Sequence, residues 1–388
     1  MKEKLLKEFA ELFGDGGEIL CYFSPGRVNL IGGHTDYNGG HVFPCTLTLG
    51  TYAVVRQRHD KKLRFYSKNM SNMGIVESDV SDFTFLPSLG FANYLKGVIW
   101  SFVQKGYPIP FGMDLMIVGN LPNGAGLSSS ASLEMAMCLI LKEMYDFSDL
   151  SLSDLALIAQ SAENIHCGVH CGIMDPFTIA LGKKGHAIFL DTSDLSYEYA
   201  PLHLEHEKLI VAYSNKKRHV GESKYNERRH ECEMALADLQ KLTTISSLSE
   251  LTMEAFDMVK SAIHDPICRR RARHAVSENQ RTIKAVHALK SNDLALFGQL
   301  LNESHISLRD DYEVTGPELD TLAQAAWEHP GVLGARMTGA GFGGCTVNLV
   351  KNEAVDSFIE QVGEKYKKVI GYDADFYVVT TGSGVCRC

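Results

Sequence analysis

The sequence predicts an α+β fold made of two lobes with a cleft between them. Three observations support this prediction. The chain has 388 residues, of which 45% are hydrophobic, so it can bury a sizeable core and is too long for one typical domain. Strand-like and helix-like segments occur together in both halves, and no long linker rich in glycine, proline or serine separates them. We therefore expect two lobes, at residues 1–200 and 201–388.

The first half alternates between strands and helices. Strands are predicted where Thr, Val, Tyr and Phe concentrate or where a short run is apolar throughout. Helices are predicted where apolar residues recur on one face, a spacing that residues 1–14 also show. The predicted strands are 46–58, 62–67, 114–121 and 185–192, and the predicted helices are 93–104, 129–145 and 153–166.

The second half has a different order of elements. A strand is predicted at residues 208–215, and long helical stretches follow between about residues 220 and 330. Two strand-like segments then occupy residues 336–350 and 373–382. The last residues, 386–388, are expected to form a frayed tail because chain ends are usually poorly ordered.

Charge and composition exclude several classes of protein. The formal net charge of −9 argues against a nucleic-acid binder, which usually carries a basic surplus. No stretch approaches the roughly 20 apolar residues of a membrane helix, and the N-terminus lacks the pattern of a signal peptide. Ten cysteines without such a signal favour reduced thiols in the cytoplasm over a disulfide framework.

A loop rich in glycine and serine joins the strand at 114–121 to the helix at 129–145. Glycines allow close backbone approach, and the free N–H groups and dipole of a helix N-terminus attract phosphate. Ser129 and Ser130 are candidate helix caps, and an ordinary capped turn is the alternative reading. No P-loop pattern occurs. The candidate phosphate-binding residues are Pro122, Gly124, Ala125, Gly126, Leu127, Ser128, Ser129 and Ser130.

A second glycine-rich segment, residues 339–344, matches the spacing G-x-G-x-x-G. In a dinucleotide-binding fold this motif follows a strand and opens a helix. Here a helix-like segment precedes it and a strand follows it, so the order is reversed. The sequence therefore gives weak support for a Rossmann fold.

A dense group of polar residues lies near the N-terminus, between residues 24 and 40. Asp36 can accept hydrogen bonds from two hydroxyls, His34 can donate or accept, and Arg27 supplies a fixed cation. Such a set suits a polyhydroxylated ligand. A solvated polar loop is the alternative, although apolar residues between these side chains favour partial burial.

Three motifs of the chain resemble those of one family. Residues 26–40, GRVNLIGGHTDYNGG, are similar to the signature of galactokinases. Residues 121–132 and 335–345 resemble the phosphate loop and the third motif of the wider superfamily of galactokinase, homoserine, mevalonate and phosphomevalonate kinases. The resemblance implies a two-lobed sugar kinase with a mixed sheet in the first lobe and an antiparallel sheet in the second. It implies a monomer that uses ATP and Mg²⁺ to phosphorylate the C1 hydroxyl of D-galactose.

The resemblance also assigns roles to residues. Asp175 is the implied catalytic base, with Arg27 beside it to stabilise developing charge. Ser130 and Glu163 are the implied Mg²⁺ ligands, and the loop around residues 122–130 is the nucleotide site. The implied sugar-binding residues are Arg27, Gly33, His34, Asp36, Gly172, Asp175 and Tyr225.

Each of these residues has an ordinary structural explanation as well. Taken alone, Asp175 is a first-turn helical acid, Glu163 an exposed helical acid and Tyr225 a packing residue. The His and Cys pairs within residues 166–171 suggest a metal site, but no second cluster stands at a zinc-like spacing. We expect that segment to lead into the loop of Asp175.

The chain departs from the galactokinase pattern at two positions. Gly33 replaces a glutamate that the resemblance assigns to the C6 hydroxyl, and Pro176 replaces a glutamine. Losing a hydrogen bond to a charged group costs about 1.5–3 kcal/mol, so galactose should bind more weakly. The missing side chain is expected to leave space, which makes galacturonate or another C6-modified galactose an alternative substrate. A glutamate restored at position 33 should improve galactose use.

Two further readings remain at this stage. A non-catalytic sugar sensor on the same fold is disfavoured because the serines at 128–132 are intact. A mevalonate kinase is disfavoured by the HTDYNGG segment at residues 34–40.

Overall fold

The structure is a computed structural model, and it describes residues 2–122, 126–216 and 221–388. Strands and helices are numbered in chain order. The strands are β1 Leu20–Ile31, β2 His41–Gln57, β3 Lys62–Ser67, β4 Val76–Asp79, β5 Met113–Gly119, β6 His186–Asp191, β7 Tyr197–Pro201, β8 Glu207–Tyr213, β9 Val332–Thr338, β10 Cys345–Lys351, β11 Asp375–Val379 and β12 Cys386–Arg387. The α-helices are α1 Lys2–Phe13, α2 Ala92–Gln104, α3 Ser129–Met144, α4 Leu152–Ser161, α5 Met174–Leu181, α6 Gly221–Leu239, α7 Met253–Val259, α8 Pro266–Lys290, α9 Leu294–Asp310, α10 Pro317–Glu328 and α11 Val355–Ile370.

The first sheet is mixed, as the resemblance implied. Its order is β12-β1-β2-β5-β3-β4, with β6 paired to β2 and β7 to β6. Strands β3 and β5 run parallel, and the other pairs are antiparallel. Strand β1 shifts register against β2 between Pro25 and Arg27. Such an irregularity re-aims a side chain, and here it lies beside Arg27.

Helices α2 to α5 pack together and share a core with the first sheet. Helix α3 is the most enclosed of them, because its residues 131–141 are all buried. A helix that is buried on every side is held in the core rather than at the surface. The N-terminus of α3, at the end of the serine-rich loop, is thereby held in a fixed position.

The second sheet is antiparallel throughout, in the order β11-β8-β10-β9. Phe358 of α11 and Leu322 of α10 pack on one face. On the other face, Val347 belongs to the same apolar cluster as Leu301 of α9 and Leu30 of β1. The two sheets thus share buried apolar contacts, and the division at residue 200 stays a prediction.

Most of the predicted elements are confirmed within one to three residues. Strand β2 instead begins at His41, five residues before the predicted start, and residues 336–350 contain a turn that separates β9 from β10.

The helix predicted at 153–166 ends at Ser161, and a π-helical turn occupies Ala162–His166. The expected frayed tail is wrong. Strand β12 pairs with β1, and the Cys388 N–H donates to the Cys21 carbonyl over 2.8 Å. Pairing satisfies backbone groups at the edge of the first sheet.

None of the helices in the described ranges combines the length and the apolar composition that crossing a membrane requires.

Candidate active site

An ion pair between Arg27 and Asp175 joins β1 to the first turn of α5. The Arg27 Nε donates to Asp175 Oδ1 and Nη2 donates to Oδ2, each over 2.7 Å. The third nitrogen, Nη1, donates to the Gly126 carbonyl over 2.7 Å. The Arg27 side chain is 4% exposed and that of Asp175 is 25% exposed. The carboxylate therefore keeps access to a ligand while the guanidinium is enclosed.

Proline at position 176 is compatible with this arrangement. It lies in the first turn of α5, directly after Asp175. The N–H groups of a first helical turn have no partner within the helix, so a residue without an N–H loses nothing there. The departure at Pro176 leaves Asp175 in its helical position.

The phosphate loop meets this ion pair through Ser128. The Ser128 hydroxyl donates to Asp175 Oδ2. Ser128 is also the residue before α3 and has a left-handed backbone, with φ 63°. Strained backbone of this kind in a residue with a side chain clusters at functional sites. Ser129 and Ser130 are the first residues of α3 and not its caps, which corrects the sequence prediction.

Not every predicted loop residue can be assessed. Pro122, Gly126 and Leu127 lie in the described part of the loop, with Leu127 buried. Gly124 and Ala125 lie outside the described residues.

The third glycine motif abuts the phosphate loop. It forms a turn between the strands β9 and β10 and does not lead into a helix. The motif is therefore not a dinucleotide-binding motif of a Rossmann fold. Gly339 has a φ of +82°, and a Cβ there would lie 2.8 Å from the Gly126 carbonyl oxygen. Only glycine allows so close an approach in that conformation. The motifs of the two lobes therefore meet backbone to backbone.

A cavity of about 640 Å³ opens at the N-terminus of α3. Ser129, Ser130 and Leu133 line it at one end. Aromatic and apolar residues line the remainder, together with polar groups from Thr51 and Asn69. Helix N-terminal N–H groups beside an apolar pocket suit a molecule that has a phosphate end and an aromatic ring. Sequence reasoning missed the apolar part, which includes Phe85, Phe91, Tyr94 and Val169.

Asp36 and Gly172 lie against each other next to Asp175. A Cβ on Gly172 would lie 1.8 Å from Asp36 Oδ2, so only glycine fits there. Asp36 is partly buried, and desolvation raises the pKa of its carboxyl to about 6, with a further contribution from the charge of Asp175. Two carboxylates thus face one small region, where hydroxyl donors would relieve the cost of their burial.

His34 and Tyr225 approach the same region from different lobes. The ring centroids of His34 and Tyr225 are 5.6 Å apart, and the Asp36 and Asp175 charges contribute to raising the pKa of Tyr225, although burial is the main cause. His34 has a φ of 62°. Its buried Nε2 has no partner of hydrogen-bonding geometry within the ranges that the structure describes. This nitrogen is therefore available to donate a hydrogen bond to a ligand or to accept one.

The predicted metal ligand Glu163 is buried rather than exposed, at 7% relative accessibility. Glu134 of α3 is fully buried nearby, where its carboxyl contacts that of Glu163. Burial raises the pKa of Glu134 well above its ordinary value, and the charges of Glu163 and Asp175 add to that effect. This concentration of carboxylates fits a divalent cation held by oxygen ligands such as Glu163 and Ser130.

The His and Cys pairs near residue 166 do not form a metal site. Across the described chain there is no group of three or more His, Cys, Asp or Glu side chains that could hold a metal ion. His166 Nε2 instead contacts the Phe83 carbonyl oxygen at 2.9 Å. The Cys171 thiol donates to Asn164 Oδ1 over 3.2 Å. The segment leads into the loop of Asp175, as predicted.

Helix α8 supports the polar N-terminal segment, and sequence reasoning missed it. Glu278 Oε1 accepts hydrogen bonds from the N–H groups of Gly32 and Gly33, each over 3.1 Å. His274, one turn earlier, contacts the Gly33 carbonyl oxygen through Nε2 at 2.9 Å. The only signal in the sequence is the spacing of four residues between His274 and Glu278, which places both on one face of a helix.

The space expected at Gly33 is already occupied. A Cβ at this position would lie 2.5 Å from Arg336 Nη2 and 3.4 Å from the methyl groups of Leu308. Arg336 is completely buried, and its Nη1 donates to the carbonyls of Asn29 and Leu30. Its Nε and Nη2 have no partner in the part of the chain that the structure describes. The prediction that Gly33 leaves room for a larger C6 group is therefore wrong.

Comparisons with known proteins agree with this geometry. Residues 7–57 match the model of the galactokinase galactose-binding signature. Residues 93–183 match the GHMP kinases N terminal domain, and residues 285–368 match the GHMP kinases C terminal model.

Relatives that match this chain over nearly its whole length are named galactokinases. The chain is 54% identical over 380 residues to the galactokinase of Clostridium beijerinckii, covering 98% of this chain and 97% of that protein. It is 51% identical over 384 residues to the galactokinase of Bacillus subtilis, covering 99% and 98%. The crystal structure of Lactococcus lactis galactokinase complexed with galactose matches with a TM-score of 0.97 and 46% identity, covering 100% of both chains. Methanococcus jannaschii mevalonate kinase, at 18% identity and a TM-score of 0.63 over 95% of this chain and 99% of its own, shares the fold alone.

Replacing Gly33 by glutamate should stabilise the protein through Arg336. Position 33 does not have a positive φ, so a side chain is allowed there once the guanidinium withdraws. A carboxylate would meet the unpartnered Nε and Nη2, and coupled buried charges of this kind interact by up to about 3 kcal/mol. We expect Gly33→Glu to unfold at a higher temperature than Gly33→Gln, and to bind galactose more tightly than the unchanged protein. Thermal unfolding and calorimetric titration measure the two effects.

The control for this prediction is the same pair of substitutions in an Arg336→Met background. Without the guanidinium, glutamate should lose its advantage over glutamine. An equal difference in both backgrounds would contradict the role given to Arg336.

Two buried histidines, His34 and His274, should each make the folded protein less stable as the pH is lowered below neutrality. Burial lowers the pKa of His34 to about 3 and that of His274 to about 4, from an ordinary value of 6.5. Between those values the unfolded chain binds protons that the folded chain does not. Each histidine therefore lowers the unfolding free energy as the pH falls, by up to about 1.4 kcal/mol per pH unit.

Asp36 acts in the opposite direction, because its raised pKa of about 6 makes the folded chain bind the extra proton. Burial alone would raise the pKa of Glu278, but the charges of Arg281 and Arg336 outweigh it and lower that pKa to about 2. The contribution of Glu278 to the unfolding free energy is therefore lost only below pH 4.5.

Urea unfolding at about pH 7.5 and about pH 5 tests this linkage. His274→Gln keeps a donor for the Gly33 carbonyl and removes the titrating ring. Its unfolding free energy at the lower pH, relative to that at the higher pH, should therefore be greater than in the unchanged protein. His230→Gln is the control, because the His230 side chain is 71% exposed. An equal pH dependence of the unfolding free energy in all three proteins would contradict the role given to His274.

Proposed function

The chain belongs to the galactokinase family, and from that premise we propose that it transfers the terminal phosphoryl group of ATP to the C1 hydroxyl of D-galactose. The products are galactose 1-phosphate and ADP. The observation that carries this proposal is the meeting of the Arg27–Asp175 ion pair with Ser128 of the phosphate loop. A proton acceptor and a phosphate cradle are thereby held in one place.

Phosphoryl transfer requires positioning and charge stabilisation more than covalent chemistry from the protein. Asp175 accepts the proton of the C1 hydroxyl as its oxygen attacks the terminal phosphorus, and the bond to the ADP oxygen breaks. The two hydrogen bonds from Arg27 hold the carboxylate plane in a fixed orientation. Arg27 also places a positive charge beside the transferred group, where negative charge is concentrated.

The nucleotide is proposed to occupy the cavity at the N-terminus of α3. Its phosphates lie against the backbone N–H groups of that helix, and its base lies among the apolar residues farther in. Mg²⁺ is proposed to be held by Ser130 and Glu163, and when bound it neutralises charge on the phosphates. The proximity of the buried acidic side chains Glu134 and Glu163 supports a cation in this area.

The sugar is proposed to lie among Asp36, Asp175, His34 and Tyr225, with Arg27, Gly33 and Gly172 completing the wall. Asp36 and Asp175 accept hydrogen bonds from its hydroxyls. The galactose in the Lactococcus lactis structure, whose title names it, supports galactose as the substrate. Neither galacturonate nor a non-catalytic sensor is favoured by the relatives, which are named galactokinases. A monomer in the reducing cytoplasm remains our proposal for the state and location of the protein.

A panel of sugars tests the substrate. ADP release should be fastest with galactose and much slower with galacturonate, glucose, N-acetylgalactosamine and 2-deoxygalactose. Preference for galacturonate would overturn the assignment of galactose. Failure to turn over any sugar, with sugar binding retained, would favour the sensor.

Replacing Asp175 by asparagine should abolish turnover. The amide keeps the size of the side chain but cannot accept the hydroxyl proton, and loss of a general base lowers kcat by about 10²–10⁴-fold. Galactose should still bind, which calorimetry measures separately from ADP release. Asp194→Asn is the control, because Asp194 is exposed and lies outside the site. Turnover near that of the control would remove Asp175 as the base.

A further inference from the structure

A chain of buried hydrogen bonds leads from His34 into the second lobe. His34 Nδ1 lies 2.7 Å from the Tyr37 hydroxyl oxygen, which lies 2.8 Å from the hydroxyl oxygen of Tyr312. The Tyr312 hydroxyl is in turn 3.2 Å from the thiol of Cys232 on α6. His34, Tyr312 and Cys232 are buried. The chain therefore connects a site residue to a helix that carries Tyr225, away from solvent.

The direction of these hydrogen bonds follows from which ring nitrogen of His34 carries the proton. A neutral imidazole has one donor and one acceptor nitrogen. If the proton is on Nε2, which is the nitrogen left for a ligand, Nδ1 accepts from the Tyr37 hydroxyl. Tyr37 then accepts from Tyr312, and Tyr312 accepts from the Cys232 thiol. Burial raises the pKa of Cys232 to about 12, so its S–H is present at neutral pH.

Tyr312 is held in place through its backbone carbonyl and through ring contacts with two histidines. Arg228 Nε donates to the Tyr312 carbonyl over 2.9 Å. The Tyr312 ring centroid lies 4.5 Å from that of His274 and 4.9 Å from that of His34. Contacts from both lobes thus hold the Tyr312 ring, so the position of its hydroxyl does not depend on Tyr37 alone.

We propose that Tyr312 is a positioning residue for sugar binding, acting through Tyr37 to keep the His34 proton on Nε2, where it donates to a sugar oxygen. This inference rests on the proposed function for the identity of the ligand. The supporting observation is that Nε2 has no partner of hydrogen-bonding geometry in the described residues, although it is buried. Tyr312 and Cys232 do not touch the substrate.

Tyr312→Phe tests the proposal in the full-length protein. Without the hydroxyl, Tyr37 loses its donor and the two His34 tautomers become closer in population. The KM for galactose should rise about threefold to tenfold, the effect of one neutral hydrogen bond. The kcat should change less than about twofold, and the KM for ATP should not change. Cys232→Ala should cause a smaller rise in the galactose KM, and Cys232→Ser, which keeps a donor, should restore it.

Tyr366→Phe is the matched control. Tyr366 is completely buried, and its hydroxyl donates to the Ser214 carbonyl over 2.6 Å in the second lobe. It should lose similar stability to Tyr312→Phe without any change in the galactose KM. A galactose KM unchanged in Tyr312→Phe, or raised equally in Tyr366→Phe, overturns the proposal.

The ¹⁵N NMR spectrum of histidine-labelled protein gives a second readout that needs no turnover. The resonances of His34, identified by their loss in His34→Gln, should show the proton on Nε2 in the unchanged protein and a mixture of tautomers in Tyr312→Phe. A proton on Nδ1 in the unchanged protein overturns the proposed direction. If the protein phosphorylates no sugar, the proposed function fails, while this measurement still decides the role of Tyr312.

Discussion

The site depends first on the ion pair between Arg27 and Asp175. Enclosing a guanidinium is costly unless its donors are all engaged, and here the five-donor fork meets a carboxylate and the Gly126 carbonyl. These bonds join three segments that lie far apart in the sequence: a strand of the first sheet, the phosphate loop and the start of α5. Because α3 is buried on every side, the loop that precedes it has little freedom to leave this arrangement.

A second layer of charge lies beneath the sugar-binding segment. Glu278 accepts both N–H groups of the Gly32–Gly33 turn and forms an ion pair with Arg281. Arg336, which faces Gly33, is only partly paired, since its Nη1 reaches two carbonyls while Nε and Nη2 meet no described partner. Positive charge therefore exceeds negative charge in this buried layer. A carboxylate at position 33 would therefore change the electrostatics around Arg336 in the second lobe as well as those of the ligand pocket.

The sequence predicted the elements with strong periodicity and the residues that stand inside its three motifs. Helix α3 and strand β3 were predicted nearly to the residue because their patterns are local. The roles of Glu278 and Arg336 could not be predicted, because each acts on residues some 245 to 307 positions away. The volume at Gly33 was misjudged for the same reason, since a glycine does not reveal which side chain fills its place. The pairing of β12 was missed because two residues carry no strand pattern.

The contact between Gly339 and Gly126 has a consequence for the motion of the enzyme. Backbone touches backbone there, and Thr338 exchanges hydrogen bonds with both the N–H and the carbonyl of Asn29 nearby. These contacts resist sliding of one lobe past the other. We therefore expect substrate to enter by a hinge movement about this contact.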